Sequence, residues 1–204
     1  MGTAQGTVDA VALIYAIVFF PAPFFWLTIH PAIRFWRRFG NRSFWVALPL
    51  WTSSGTLLVL LRHRIFAERI GRNPLTTIAG AALIALALWI GHHVHRQFGL
   101  QRLAGLPEVS PGRYSGGVVR TGIYARVRHP RYLEYMLTFV GLALLTGAVG
   151  IFLLAIITIL LYLIVAPLEE RELCEHYGPE YEAYARDVPR FLPRWRSPFR
   201  ARKE

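Results

Sequence analysis

The chain has 204 residues, 54% of them hydrophobic, and a formal net charge of +11. Its mean hydropathy of +0.36 is too high for an ordinary water-soluble domain of this size, and several runs are long enough to span a bilayer. A lone cysteine, Cys174, excludes a disulfide framework and a cysteine metal site, and arginines placed between and after the apolar runs favour a membrane protein over a nucleic-acid binder.

Met1 to Ala10 lacks the basic segment of a signal peptide, so the first apolar run, Val8 to Ile29, is expected to be a retained span. Pro21 and Pro23 inside it predict a kink. Arg34, Arg37, Arg38 and Arg42 follow, interleaved with Phe35, Trp36 and Phe39, which reads as an interfacial turn with an aromatic belt. The second run, Ser43 to Leu61, is weakened by Pro49, Ser53, Ser54 and Gly55. Arg62 to Arg72 is basic again, and Asn73-Pro74 breaks the chain. Leu75 to Gly91 is a third span, whose Ala79, Gly80 and Ala81 permit close helix packing. It ends in Gly91-His92-His93-Val94-His95-Arg96. With no acid or cysteine near them in sequence, these histidines read as interfacial polar residues, and no metal site is assigned. Gln101 to Val119 is a polar loop rich in Gly and Pro.

The densest chemistry lies from Arg120 to Tyr132: four arginines, His129, Tyr124 and Tyr132. His129-Pro130 predicts a helix start, since proline suits the first helical position. Two spans follow, Leu133 to Leu145 and Ile151 to Pro167, joined by the short uncharged Thr146 to Gly150. So short a link imposes an antiparallel hairpin. It returns Glu169 and Glu170 to the side on which His129 began. In the tail, Tyr177, Tyr181 and Tyr184 fall at helical spacing, and Gly178-Pro179 begins a second helical piece that Val188 to Pro193 ends. An amphipathic tail lying over the charged face is expected.

The fold expectation is therefore an all-α polytopic membrane protein with about five transmembrane helices and a C-terminal cytoplasmic amphipathic segment. Residues 1–119 supply membrane spans and a connecting loop, and residues 120–204 the catalytic core. One conflict stands: with both charged clusters inside, Arg62 to Arg72 falls outside, against the positive-inside rule. A re-entrant or poorly inserted second run is one resolution.

Charge near hydrocarbon needs a partner or a ligand. Arg128 and His129 opposite Glu169 and Glu170 either neutralise one another or hold a ligand between them. The wider pattern favours the ligand. G-I-Y-A-R-V-R-H-P-R-Y (Gly122–Tyr132), E-E-R-E-L (Glu169–Leu173), Y-G-P-E-Y-E-A-Y (Tyr177–Tyr184) and V-P-R-F-L-P (Val188–Pro193) resemble the isoprenylcysteine carboxyl methyltransferase family. The RHPxY and EE elements are shared with the related phospholipid methyltransferases.

The resemblance implies an integral membrane methyltransferase that uses S-adenosylmethionine without a Rossmann domain, and no strand with a GxGxxG turn is present. It implies that Tyr124, Val127, Arg128, His129, Tyr132, Glu169 and Glu170 surround the cofactor, those before His129 chiefly through backbone. A carboxylate acceptor needs no base, and Arg128 or Arg120 would hold it. An amine must lose a proton, for which Glu134, Glu170 and His129 are candidates. Glu134 departs from the family, where a small residue is usual. It is either a functional acid or a partner for Arg131 or Arg128.

The expected acceptor is a lipid or lipid-like molecule: a prenylcysteine-type carboxylate, a phospholipid amine or a small thiol. The bilayer is the expected surrounding; no nucleic acid and no obligate protein partner are called for. A bacterial inner membrane with the site facing the cytoplasm fits the size and arginine bias. The competing readings are an NADPH-dependent membrane reductase of the sterol reductase type and a non-catalytic protein whose charges only pair.

Overall fold

The computed structural model describes residues 3–40, 42, 45, 47–97 and 117–193. Most of the loop expected from Gln101 to Val119, the Ser43 start of the second run and residues 194–204 lie outside the described residues. The described secondary structure is helical apart from one isolated bridge, Arg69 to Ala148.

Thr3–Phe19 (α1) and Ala22–Ile29 (α2) form one kinked rod, with Pro21 at the N-cap of α2. A 3₁₀ turn at His30–Ala32 and the short α3 (Ile33–Trp36) continue it. Then come α4 (Ala47–Leu60), α5 (Arg62–Ile65) and the long α6 (Pro74–Gln97). A 3₁₀ turn at Gly122–Ala125 precedes the hairpin of α7 (Pro130–Thr146) and α8 (Val149–Tyr177), and α9 (Pro179–Asp187) closes the described chain.

Thr3–Trp36, Pro74–Gln97 and Val149–Tyr177 are each long and apolar enough to cross a membrane. Helices α4 and α7 are shorter, at 14 and 17 residues; 17 residues of α-helix reach about 25 Å, close to the hydrocarbon thickness. The protein is an integral membrane protein of antiparallel helical rods. Helix α7 is the centre: α6 lies along one side, α8 along another, and α1 rests on a third, with α4 outside α1 and α2 against α8. Phe139, Ala143 and Leu142 of α7 meet Ala12, Ala16, Ile151 and Ala155 in the core. Large apolar residues such as Ile14, Leu57, Leu88, Ile156 and Leu160 face outward, as a bilayer solvent permits. Close packing of α6 on α7 is set by glycine. A Cβ at Gly80 would lie 2.9 Å from the Gly141 carbonyl.

Two ends result. At one, Pro130 occupies the first turn of α7 and α8 runs past Glu170 to Tyr177. At the other, Gly147 (φ 66) ends α7 in the left-handed conformation, where a Cβ would fall 2.7 Å from the Ile70 carbonyl. The segment Arg62 to Arg72 sits at the far end, and two of its arginines close the end of α7. Arg69 pairs with Asp9 at 2.6 Å and bonds the Thr146 carbonyl at 2.9 Å. Arg72 donates to the Leu145 carbonyl at 2.8 Å. These charges satisfy the exposed carbonyls ending α7.

Candidate active site

The short Thr146–Gly150 turn forces α8 back along α7, so the N-terminus of α7 meets the late turns of α8. There Glu170 is the point of convergence. Its carboxylate accepts from His129 Nε2 at 2.9 Å and pairs with Arg128 at 3.0 Å. Arg190 grips it in a fork, 2.9 Å from Nε and 2.6 Å from Nη2. The other imidazole nitrogen, Nδ1, lies 3.2 Å from Glu169 Oε2. Burial alone would push His129 down, but Glu169 and Glu170 beside it outweigh that and hold it above its ordinary value.

The rings are ordered as firmly as the charges. Tyr132 stacks on His129 at 5.3 Å with an interplanar angle of 4°, and on Tyr162 at 4.4 Å. The tail straps the site. Arg128 N and His129 N donate to the carbonyls of Pro189 and Arg190, at 2.9 and 3.1 Å, and the Arg128 side chain donates to Ala185 O. The Tyr184 hydroxyl donates to the Tyr124 carbonyl at 2.7 Å, which ties α9 to the 3₁₀ turn. Residues 128 and 129 thus borrow backbone partners from a segment some sixty residues on, giving the site a lid made of its own tail.

Of the residues that the sequence singles out, Arg128, His129, Tyr132, Glu169 and Glu170 are brought together, with Tyr124 beside them. The Val127 side chain instead packs into the apolar cluster of Ile90, Val94 and Ile123, leaving only its backbone toward the charges. Arg120 is held by Glu180, 2.7 Å to the carbonyl and 3.0 Å to the carboxylate, away from Glu170. Glu134 projects from α7 toward α6, and its Oε1 would lie 2.6 Å from a Cβ at Gly91. In the histidine run, His93 Nδ1 lies 2.8 Å from the Trp89 carbonyl.

Two contributors are not evident from sequence spacing. Arg190 lies within the V-P-R-F-L-P motif, a segment that reads there only as a helix stop. His30 is buried under Trp26 (5.3 Å, stacked) and holds Glu172 at 2.9 Å, with Arg37 on the other carboxylate oxygen at 2.7 Å. This belongs to the segment that reads as an interfacial turn, and no local pattern links it to an acid 142 residues away. A cleft of about 600 Å³ opens beside it, lined by His30, Arg34, Leu168, Arg171 and Glu175 among others.

Among the described residues, Arg128 Nε is buried without a hydrogen-bond partner, and Glu169 Oε2 has only the 3.2 Å approach of His129 Nδ1. Buried polar atoms are rarely left so. A spare donor beside a carboxylate with spare capacity suits a zwitterionic amino-acid head, and a ribose hydroxyl suits the carboxylate equally.

The comparisons with known proteins fall on this region. The model of a family described as phospholipid methyltransferase matches residues 75–180. Over 129 residues the chain is 32% identical to the methanethiol S-methyltransferase of Pseudomonas deceptionensis, a match covering 62% of this chain and 47% of that protein. It is 30% identical over 123 residues to methanethiol S-methyltransferase 1 of Bradyrhizobium diazoefficiens, covering 59% of this chain and 40% of that one. It is also 30% identical over 146 residues to the cobalt-zinc-cadmium resistance protein CzcN of Cupriavidus metallidurans, covering 66% of each. The matches thus span less than half the length of the two methyltransferases. No solved structure matches.

Proposed function

The chain belongs to the phospholipid methyltransferase family, and from that premise we propose that it is an S-adenosylmethionine-dependent membrane methyltransferase whose donor binds at Glu169–Glu170. The observation that carries this reading is the convergence on Glu170 of His129, Arg128 and Arg190, with Arg128 Nε left over and Glu169 Oε2 met only by His129 Nδ1 at 3.2 Å. When bound, S-adenosylmethionine supplies a methyl group on a positively charged sulfur.

The residues have separable tasks. Glu169 offers a carboxylate oxygen to an ammonium or to ribose hydroxyls. Arg128 and Arg190, already positioned by Glu170, offer guanidinium donors to a carboxylate. Tyr132, fixed between His129 and Tyr162, presents an aromatic ring to a cation. Tyr124 and the backbone of Val127 and Arg128 form the wall that Tyr184 and Pro189 brace. Methyl transfer is in-line, so rate depends on alignment and on exclusion of water, which the strap over residues 128 and 129 serves. Arg120 braces α9 through Glu180 and is assigned no contact with substrate.

Two of the relatives are named for methanethiol and for transfer to sulfur. The acceptor assigned here is accordingly a small or lipid-like thiol reaching the site from the bilayer. The site end carries Arg34, Arg37, Arg38, Arg96, Arg126 and Arg171, among others, against Arg62, Arg64, Arg69 and Arg72 at the far end, which supports a site facing the cytoplasm of a bacterial inner membrane.

The test is calorimetry on detergent-purified protein, with S-adenosylhomocysteine and NADPH titrated separately into wild type and Glu170→Gln. S-adenosylhomocysteine is expected to bind, and to bind the variant far more weakly. Binding of NADPH alone would replace this reading with the reductase, and binding of neither by folded protein would leave a charge cluster without a ligand.

A further inference from the structure

Glu134 is an acid in the first turns of α7, partly buried between helices. Among the described residues its carboxylate makes no hydrogen bond or ion pair. Arg131 is close enough to act on it electrostatically, but that guanidinium is engaged elsewhere, donating from Nε to the Tyr135 hydroxyl at 2.6 Å and lying over the Tyr135 ring at 5.5 Å. A partly buried carboxylate with no hydrogen-bonded base is costly. The fold makes room for it all the same: α6 carries glycine where the carboxylate touches, and any larger residue at position 91 would meet Oε1 at 2.6 Å and Cδ at 2.8 Å.

The surroundings say what such a group can serve. Ile90, Val94, Leu133 and Leu137 make the neighbouring walls apolar. Tyr124, beside the donor site, packs into the same apolar cluster as Leu133 and Leu137 of α7, so Glu134 and the donor site share one neighbourhood. Helices α1 and α6 both lie on α7 without packing extensively on each other.

Resting on the donor reading above, we propose that Glu134 is the catalytic proton acceptor for a neutral thiol that arrives between α1 and α6. The thiol S–H proton passes to a Glu134 carboxylate oxygen. The sulfur lone pair forms the new bond to the methyl carbon. The bond from that carbon to the donor sulfur breaks, and its electron pair stays on the sulfur of S-adenosylhomocysteine. A neutral thioether and a protonated Glu134 result, and the proton then returns to water. A carboxylate acceptor would be repelled by Glu134 and has no proton to give it. An amine held as ammonium would need desolvation beside these apolar side chains, whereas a thiol enters uncharged.

The experiment compares ethanethiol with 2,2,2-trifluoroethanethiol, which is similar in size but far more acidic, and adds ethylamine and propionate as controls. Release of S-adenosylhomocysteine is followed on the full chain in detergent for wild type, Glu134→Gln and Gly91→Ala. Binding of S-adenosylhomocysteine is measured on each by calorimetry. Wild type is expected to turn over the thiols and neither control. Glu134→Gln should lower kcat about 100-fold on ethanethiol and less than about tenfold on the acidic thiol, because a general base matters least where the proton is already lost. Gly91→Ala, which displaces the carboxylate, should show the same selectivity between thiols. S-adenosylhomocysteine binding should be unchanged in both variants. Equal losses on the two thiols, or turnover of only ethylamine or propionate, would overturn the assignment while leaving the donor site standing. Failure of wild type to bind S-adenosylhomocysteine would instead remove the donor reading, and this one with it.

Discussion

Both ends of the helical bundle bury ion pairs, but they use them differently. At the far end Asp9 and Arg69 pair with each other, and Arg69 Nη1 also donates to the Thr146 carbonyl at the end of α7, with Arg69 Nε left without an acceptor among the described residues. The arrangement is a cap: it closes a helix and latches the loop before α6 onto the hairpin turn. At the near end one carboxylate, Glu170, is shared by two arginines and a histidine, while Glu169 Oε2 and Arg128 Nε remain under-bonded. Each end leaves a buried guanidinium Nε unbonded, so spare donors do not separate them. Buried charge is a weak guide to stability because desolvation offsets attraction. What separates the two ends is convergence: one acid and one base at the cap, against two acids, two arginines and a histidine at the near end.

The comparison breaks most sharply at Glu170. Glu170→Gln removes charge-assisted bonds to three partners. If they preorganise the donor site, S-adenosylhomocysteine affinity should fall by about 2–3 kcal/mol, near 100-fold, as read by calorimetry. Unchanged affinity would make the near end a second latch. Arg190→Ala comes next. It removes the fork on Glu170 while leaving Arg128 and His129, so affinity should weaken roughly tenfold, and Arg190→Lys should recover little because a lysine cannot supply two parallel donors. Asp9→Asn tests the other end. Arg69 loses a partly buried partner, and the midpoint of thermal unfolding should fall by about 2–6 °C with S-adenosylhomocysteine affinity unchanged. A loss of affinity in Asp9→Asn would mean that the two ends are coupled through α7.

Legibility in the sequence divides along the same line. The hairpin and its consequence, Glu169 and Glu170 beside His129, follow from a five-residue uncharged link between two apolar runs, because a link that short has one geometric solution. The piece starting at Gly178-Pro179 is read equally well by proline and glycine placement. Partners brought in by packing are not legible. His30 and Glu172 are 142 residues apart, and no local pattern links the end of the first run to the E-E-R-E-L motif. Arg69 and Arg72 count as misplaced positive charges until the carbonyls of Thr146 and Leu145 are seen to need donors. Gly91 reads as the end of a span, and only the position of Glu134 across the interface explains why it has no side chain. Local spacing encodes turns and faces, while leftover hydrogen-bonding capacity becomes visible only once the neighbours are in place.

The smallest expected effect sharpens the comparison through pH. His129 carries its proton more readily in the folded protein than in an unfolded chain, because Glu169 and Glu170 outweigh the cost of burying the imidazolium. Its folded pKa is therefore the higher of the two, and the folded state binds the proton more tightly. That contribution to stability is fully present below the ordinary imidazole value of about 6.5. It is lost as pH rises through the higher folded value. In ligand-free protein the unfolding midpoint should thus decline as pH is raised across that window, and His129→Gln should flatten the decline. Asp9→Asn, acting on a cap remote from the imidazole, should leave that decline in place on a lower curve. A decline that persists unaltered in His129→Gln would show that the imidazole is held neutral between the two carboxylates, and Glu170 would then owe its order to Arg128 and Arg190 alone.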